Sequence, residues 1–483
     1  MPVNSEFQVT TAVLEDIETT DRCITFRYNL DGEPDVLHFE YESICLDDMK
    51  LRVSHEAFHA YIVSLGVISM GRFGAVIPQR FDIARFGEYV HPELLRFLRK
   101  VLCQHWSEHR YQIGRLDYYV PDFVVDESTL GSKVSLPLFE IETSHPERVL
   151  VATGSGKDSL LCVQLLTAAN VEYETFTYLH DAYGDVDHQS RVFGRLREAA
   201  QQRHVLKIFD GYASWLENRL QSFGVLGNMA KDGLTKPFRT ESGEVFAGSF
   251  AMVPIQVASG IPLQVFGNEK SADFPNLIDQ ETGASIAHQF AKSIYGETAI
   301  FNFYDKFFSG IQRVSLTKPI HDVKIFKILF VLTEDLPYLT NSCNFMKPWC
   351  CKCEKCLYVF SGFSAFGDHR RTVQVFGADL FDEPGLLPVW EDLLGLNGRI
   401  PWECVGHPEE AQLNFYKIWK NGTTGCAVDM FVDKIIKPLV KIDAEGVEPH
   451  FEMIEERYSR VDKHHHHMPD WLARKIFAVL DGL

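Results

Sequence analysis

Two stretches of the chain carry residue types that do chemistry by themselves. The first, "SCNFMKPWCCKCEKC", sets Cys343, Cys350, Cys353 and Cys356 as two consecutive Cys-x-x-Cys steps joined to one distant thiol. Each step turns two thiolates toward one point, and four thiolates satisfy a tetrahedral Zn²⁺ at about 2.3 Å. Such a site is closed and therefore structural; a redox relay is the alternative for so many thiols. Cys351 duplicates a corner that its neighbours already supply and reads as a bystander. The second stretch, "VLVATGSGKDSLL", begins as a buried strand over Val149 to Thr153, and from Ser159 the spacing of Leu160, Leu161, Val163 and Leu165 becomes helical. The turn between them holds Gly154 and Gly156, which let the backbone approach closely and take positive φ where needed. Its N–H groups and the helix N-terminus behind it favour an anion. A Walker A loop is excluded, because position 151 is Val and Asp158 follows Lys157 where Ser or Thr is required. A strand-turn-helix without ligand is the bland alternative.

These residues need a scaffold. "YETFTYL" (173–179) and "HVLKIFD" (204–210) each follow a helical segment, which predicts β-α-β-α-β with parallel strands, and "PLQVFGNEKSAD" (262–273) reads as a later strand ending in polar residues. The fold class expected is α/β, a doubly wound and mainly parallel sheet. Polar groups at the carboxyl ends of such strands face the ligand crevice. His180, Asp181, Asp210 and Gly267 to Lys270 are therefore candidate cleft residues, or else solvated loop positions. Upstream, "CITFRYNLDGEPDVLHFEYE" predicts two strands around the turn Asp31-Gly32, and Ser54 to Cys103 reads as helical. The chain past 360 is helical and aromatic, with Trp390, Trp402, Trp419 and Trp471 spread along it. The division predicted is an N-terminal α+β domain over 1–145, a core domain with the cysteine site over 146–365, and a helical C-terminal region over 366–483.

Composition narrows the function classes. A formal net charge of −19 argues against a surface devoted to nucleic acid, a local basic cleft aside. Of 11 cysteines, five fall within 343–356 and the rest are scattered, unlike a secreted disulfide framework. With no apolar run of about 18 residues and no N-terminal signal in view, a cytoplasmic protein with reduced thiols is expected. "HEAFH" (55–59) matches the zinc-protease pattern and has Glu88 and Glu93 as possible third ligands. The plainer reading makes Ser54 an N-cap, puts Glu56 in the first turn and turns Phe58, Ile62 and Leu65 to the core. The run His464–His467 is a metal-binding tract or a solvated, tag-like stretch.

Gly154-Ser155-Gly156-Lys157-Asp158-Ser159 resembles the SGGxDS signature of the PP-loop ATP pyrophosphatases, with Gly154 for the first Ser and Ser155 for the first Gly. That resemblance implies an adenine nucleotide alpha hydrolase-like sheet, a loop that cradles the β,γ-pyrophosphate of ATP, Lys157 neutralising it, Asp158 helping to hold Mg²⁺ and Ser159 donating to a phosphate oxygen. Both Lys157 and Asp158 are expected on an exposed turn. A PP-loop followed by such cysteines is similar to 7-cyano-7-deazaguanine synthase. "GNEKSADFPN", "GASIAHQFAKSIYGE" and "CCKCEKCLYVFSGFSAF" are more similar to segments of the UDP-N-acetylmuramoyl-L-alanyl-L-glutamate epimerases, the MurL family, in the same order over about 145–365. Ala287 stands where that family is expected to have Asn, and the loop is Gly-Ser-Gly rather than Gly-Gly-Gly.

The second resemblance implies an isomerase of peptidoglycan precursor synthesis that acts on a small nucleotide-sugar peptide, with ATP, Mg²⁺ and a structural Zn²⁺. Adenylation of the terminal glutamate carboxylate removes the negative charge that opposes loss of the α-proton; a base then takes that proton, reprotonation inverts the centre, and water releases AMP. Asn268, Glu269 and Lys270 are the expected substrate-binding residues. His288 and Lys292, i and i+4 on an expected helix, are candidate proton-transfer groups, or a structural hydrogen-bond partner and an anion clamp. Two other classes stay open: a PP-loop enzyme that modifies a nucleobase or tRNA, and a nucleotide-binding regulator without catalysis.

Overall fold

The computed structural model describes residues 7–117, 120–143, 145–200, 203–222, 244–398, 400–443 and 445–483. Its first three strands, β1 (Thr11–Thr19), β2 (Cys23–Leu30) and β3 (Glu33–Tyr41), form an antiparallel meander. The β2–β3 turn is the expected two-residue one: Leu30 faces Glu33, and Asp31 and Gly32 both take positive φ, at 53° and 98°. That pair of left-handed residues matches the twist of a tight hairpin.

Strands β4 (Arg80–Asp82), β5 (Asp122–Val124), β6 (Val149–Ala152), β7 (Tyr173–His180), β8 (His204–Asp210), β9 (Leu263–Phe266) and β12 (Gln312–Ser315) join the meander in one ten-stranded sheet, while β10 (Leu277–Ile278) and β11 (Ser285–Ile286) pair separately. The order is β12-β9-β6-β7-β8-β3-β2-β1-β4-β5, mostly parallel, with antiparallel steps from β8 to β1. The chain leaves β6 toward β7 on one side, and β9 later docks on its other side. That reversal makes the carboxyl ends of β6 and β9 a topological switch point, where an open α/β sheet forms its ligand crevice. All four residues of β6 are buried, as a strand covered on both faces requires.

Pairing of β8 with β3 means that no break in the sheet falls at residue 145, and one apolar cluster includes Phe26 and Phe39 with Leu150 and Leu206. Helices Glu354–Phe366, Pro408–Lys420 and Val447–Ser459 build a second cluster, which takes in Cys343, Cys353 and Cys356. The last helix, Asp470–Asp481, packs Leu472 and Ile476 with Val149, Leu161 and Leu165.

The protease-like pentapeptide takes its plain reading. Ser54 Oγ accepts the Ala57 N–H at 3.1 Å, and Phe58, Ile62 and Leu65 are buried. Glu88 pairs with Lys133 and Glu93 with Arg96. That helix continues as the helical run His55–Val76, which by length and composition is apolar enough to cross a membrane, contrary to the expectation of no such run; 94% of its apolar window is buried inside the fold. Two members of the histidine run are held by the fold: His465 Nε2 lies 2.5 Å from Asp273, and His467 bonds Thr298 at 2.8 Å while stacking on Phe301.

Candidate functional site

The turn after β6 leads into the helix Lys157–Ala168 with Gly156 as its N-cap. The left-handed residue in this turn is Ser155, at φ 57°, and neither Gly154 nor Gly156 takes positive φ. The resembled signature has glycine at that central position, so Ser155 holds a backbone angle that a side chain disfavours by roughly 1–2 kcal/mol. Two contacts from the segment before the cysteines hold it: the Asn341 N–H donates to Ser155 O at 2.7 Å, and the Lys157 N–H donates to Ser342 Oγ at 3.2 Å.

Lys157 departs from its expected exposure. Its side chain is fully buried, with Nζ between Asp158 Oδ1 at 2.5 Å and the buried Asp322 carboxylate, and with the Phe326 ring 5.3 Å away. Asp322 heads the helix Asp322–Leu332, and its backbone N–H donates to Ser271 Oγ at 3.1 Å, while that hydroxyl donates to Glu410 at 2.7 Å. The Lys157–Ala168 helix starts two residues before Ser159, where the helical spacing was read to begin, and its first side chain turns inward. Asp158 stays on the cleft side and partly exposed, and Ser159 lines the cleft while its hydroxyl donates to Gly156 O at 2.9 Å.

The cleft opens above β6 and β9. Its floor is the loop Gly154–Ser159 with Phe266, Gly267 and Asn268; one wall is Val245 to Ser249, and the other carries Lys292, Asn341, Ser342, Asn344, Lys347, Lys355 and Cys404. Asn268 is buried and its Nδ2 has no partner, so the cleft presents an unused donor. Glu269 lies beneath: burial would raise its pKa, but Lys157, Lys355, Lys292 and Lys318 hold it below the usual glutamate value. Lys270 turns away to Asp462 at 2.6 Å. His180, Asp181 and Asp210 do not line the cleft. Asp181 accepts the Asp210 N–H, and Asp210 joins Asp35 around the buried Arg72.

Gly267 is where β9 leaves the sheet under the helix start. A Cβ there would lie 2.9 Å from both C and O of Asp158. Gly267→Ala must push the Asp158 backbone, and overpacking of this kind costs about 1–3 kcal/mol. A thermal melt should show the loss, and nucleotide binding by calorimetry should weaken with it; a variant equal to the parent in both would refute this close packing.

His288 and Lys292 do not share a helix. His288 sits in a turn and Lys292 ends the short 3₁₀ turn Phe290–Lys292, yet both reach Cys404. Lys292 Nζ is 2.9 Å from Cys404 Sγ, and His288 Nδ1 is 2.6 Å from Glu108 Oε2. Burial would depress the His288 imidazole, but the Glu108 carboxylate and Cys404 hold its pKa well above the usual histidine value. Burial pushes the Cys404 thiol up, while the Lys292 ammonium and the His288 contact outweigh it and bring the pKa to about 7. The sequence reading missed Cys404, Lys347 and Lys355; the lysines interleaved with the cysteine cluster were the only local signal.

The four cysteines meet. Cys343 and Cys353 sulfurs are 4.0 Å apart, Cys350 and Cys356 3.7 Å, and all four lie within 4.8 Å of one another. Tetrahedral bonds of about 2.3 Å require sulfurs at close to this separation. N–H groups of Phe345, Met346 and Cys356 point at the sulfurs of Cys343 and Cys353. Cys351 turns outward, its Sγ 3.3 Å from Phe376 O.

Residues 339–439 match the family model of the MurL C-terminal domain. A protein of Salinispora tropica named UDP-N-acetyl-alpha-D-muramoyl-L-alanyl-L-glutamate epimerase is 32% identical over 177 residues, covering 34% of this chain and 37% of that protein. Proteins of the same name from Micromonospora and Xanthomonas oryzae are 26% and 24% identical, over 55% and 54% of this chain and 55% of each relative. The matched stretches thus span about half, or less, of these relatives' length. No solved structure matches the chain.

Proposed function

We propose that the protein is an ATP-dependent epimerase of peptidoglycan precursor synthesis, which adenylates the terminal glutamate of UDP-MurNAc-L-Ala-L-Glu and inverts its α-carbon, releasing AMP and pyrophosphate. The observation that carries this reading is where the family match falls. Asn341, Ser342, Asn344, Lys347, Lys355 and Cys404 all lie within 339–439 and form the wall of the cleft that faces the Gly154–Ser159 loop. A resemblance at the loop and an independent match on the opposite wall thus meet at one crevice. The relatives' shared name supplies the substrate.

In this reading the loop amides receive the β,γ-pyrophosphate as in the PP-loop enzymes. Lys157 does not reach it; the cleft lysines Lys347 and Lys355 supply the positive charge instead. Asp158 is the carboxylate placed to hold Mg²⁺, which when bound would offset charge on the phosphates. Cys343, Cys350, Cys353 and Cys356 would hold Zn²⁺ as a closed structural site. Use of ATP and a nucleotide-linked precursor fits a cytoplasmic setting.

Incubation with ATP, Mg²⁺ and UDP-MurNAc-L-Ala-L-Glu should yield AMP, pyrophosphate and the D-glutamyl epimer, read by chromatography and by chiral analysis of the hydrolysed peptide. AMP without inversion would remove the epimerase reading and keep adenylation. ATP bound but uncleaved would remove both.

A further inference from the structure

The reaction proposed above needs a group that takes a proton from carbon, and on that reading we infer that Cys404 Sγ is this group, with Lys292 and His288 as positioning residues that hold it as a thiolate. The geometry carries the assignment. Cys404 lines the cleft that holds the loop, Lys292 Nζ lies 2.9 Å from its sulfur, and His288 reaches the same atom from a ring whose Nδ1 is fixed by Glu108 at 2.6 Å. The backbone on which Cys404 sits is held as well: its N–H donates to Glu403 Oε1 at 3.1 Å, and its carbonyl accepts from Lys355. A thiolate fixed between two cations is a soft base with few other proton demands.

A ligand is indicated independently by Asn268. Its buried Nδ2 lines the same cleft without a partner, a donor matched to an oxygen such as that of an activated acyl group. His288, Glu403 and Cys404 also lie close enough to share a metal ion. The Lys292 ammonium touching the sulfur argues against that use, since a divalent cation on Sγ would meet a positive charge at contact.

In the step assigned, the α-C–H bond breaks and an S–H bond forms, while the electron pair moves onto the acyl oxygen as an enolate. A proton of solvent origin added to the opposite face returns the pair to carbon. Lysines 292 and 355, His288 and Glu403 face Cys404, and Glu269 and Asp158 face Lys292. The sum of these charges leaves the thiol titrating at about 7. Inversion should therefore rise as pH passes upward through that value.

The test follows the full-length protein with ATP, Mg²⁺ and UDP-MurNAc-L-Ala-L-Glu in D₂O. Cys404→Ala should keep pyrophosphate release within about fivefold of the parent while α-deuteration and inversion fall by at least about 100-fold, the range typical of losing a general base. Exchange within tenfold of the parent, or equal loss of pyrophosphate release in a folded variant, would overturn the assignment. A parent that releases no pyrophosphate with this substrate would instead overturn the proposed function. Mass-spectrometric iodoacetamide labelling of Cys404 gives a readout without substrate. The labelling midpoint should lie near 7 in the parent and move upward in Lys292→Met; a parent midpoint at the ordinary thiol value of about 8.5 would overturn the thiolate.

Discussion

Lys157→Ala should destabilise the protein by about 3–5 kcal/mol, the penalty typical of removing one partner from a buried ion pair. The side chain is fully buried against an equally buried Asp322. Burial already pushes the Asp322 pKa up to about 6 against the pull of Lys157, and Glu269 and Asp158 push the same way. Without the ammonium, the weaker pull of Lys355 remains, and protonation is the main relief left to that carboxylate. The sign of the pH dependence follows. A carboxyl whose folded pKa exceeds its unfolded value of about 3.9 costs stability above the folded pKa, and the cost fades as pH falls through it. The deficit of Lys157→Ala should thus be largest above pH 7 and shrink toward pH 5. Asp158→Ala leaves Lys157 with its Asp322 partner and should melt close to the parent while losing pyrophosphate release. The double variant Lys157→Met with Asp322→Leu should recover most of the lost stability, because the Asp322 charge leaves with its partner and Glu269 keeps Lys355, Lys292 and Lys318. Denaturant melts at several pH values decide it, and a Lys157→Ala midpoint equal to the parent's would refute the role given to this pair.

The contrast between Lys157 and Asp158 shows what the sequence could convey. Local chemistry was legible. Asp31-Gly32 specified its own hairpin and Ser54 its own N-cap, each from residues within a few positions, and the cysteine cluster draws on one short stretch, Cys343 to Cys356. The direction of Lys157 was not, because it is set by Asp322, 165 positions away in the chain. His288 and Lys292 show the same limit in reverse. Their i, i+4 spacing promised one helical face, yet a turn and a 3₁₀ turn bring them together, and Cys404, more than a hundred positions on, is what they share. A lone cysteine in "PWECVGH" carries no pattern to find. Sheet order is non-local too: β8 could have been an edge strand, and its pairing with β3 fuses the N-terminal meander to the parallel half.

Removal of metal should have the second large effect, and it should reach the cleft. Metal analysis is expected to find about one zinc per chain, held so that no coordination position is left for water. Cys353→Ser should lose it and melt well below the parent, because Cys343, Cys353 and Cys356 sit in the apolar cluster on which the C-terminal helices pack, and structural zinc binding is itself folding free energy. Cys351→Ser should keep both the metal and the melting temperature, since that sulfur points away to Phe376. Loss of a zinc held by these cysteines should free the segment just before the cluster, and with it the bond from the Asn341 N–H to Ser155 O and the bond from the Lys157 N–H to Ser342 Oγ. Ser155 then has less to hold it in its left-handed angle, and the loop loses the geometry that an anion would need. A chelator-treated sample that remains folded should therefore bind ATP more weakly than the untreated protein, by calorimetry, and regain affinity when zinc is restored. Cys353→Ser protein that is metal-free yet melts and binds ATP like the parent would show that the cysteines neither hold a structural ion nor brace the loop.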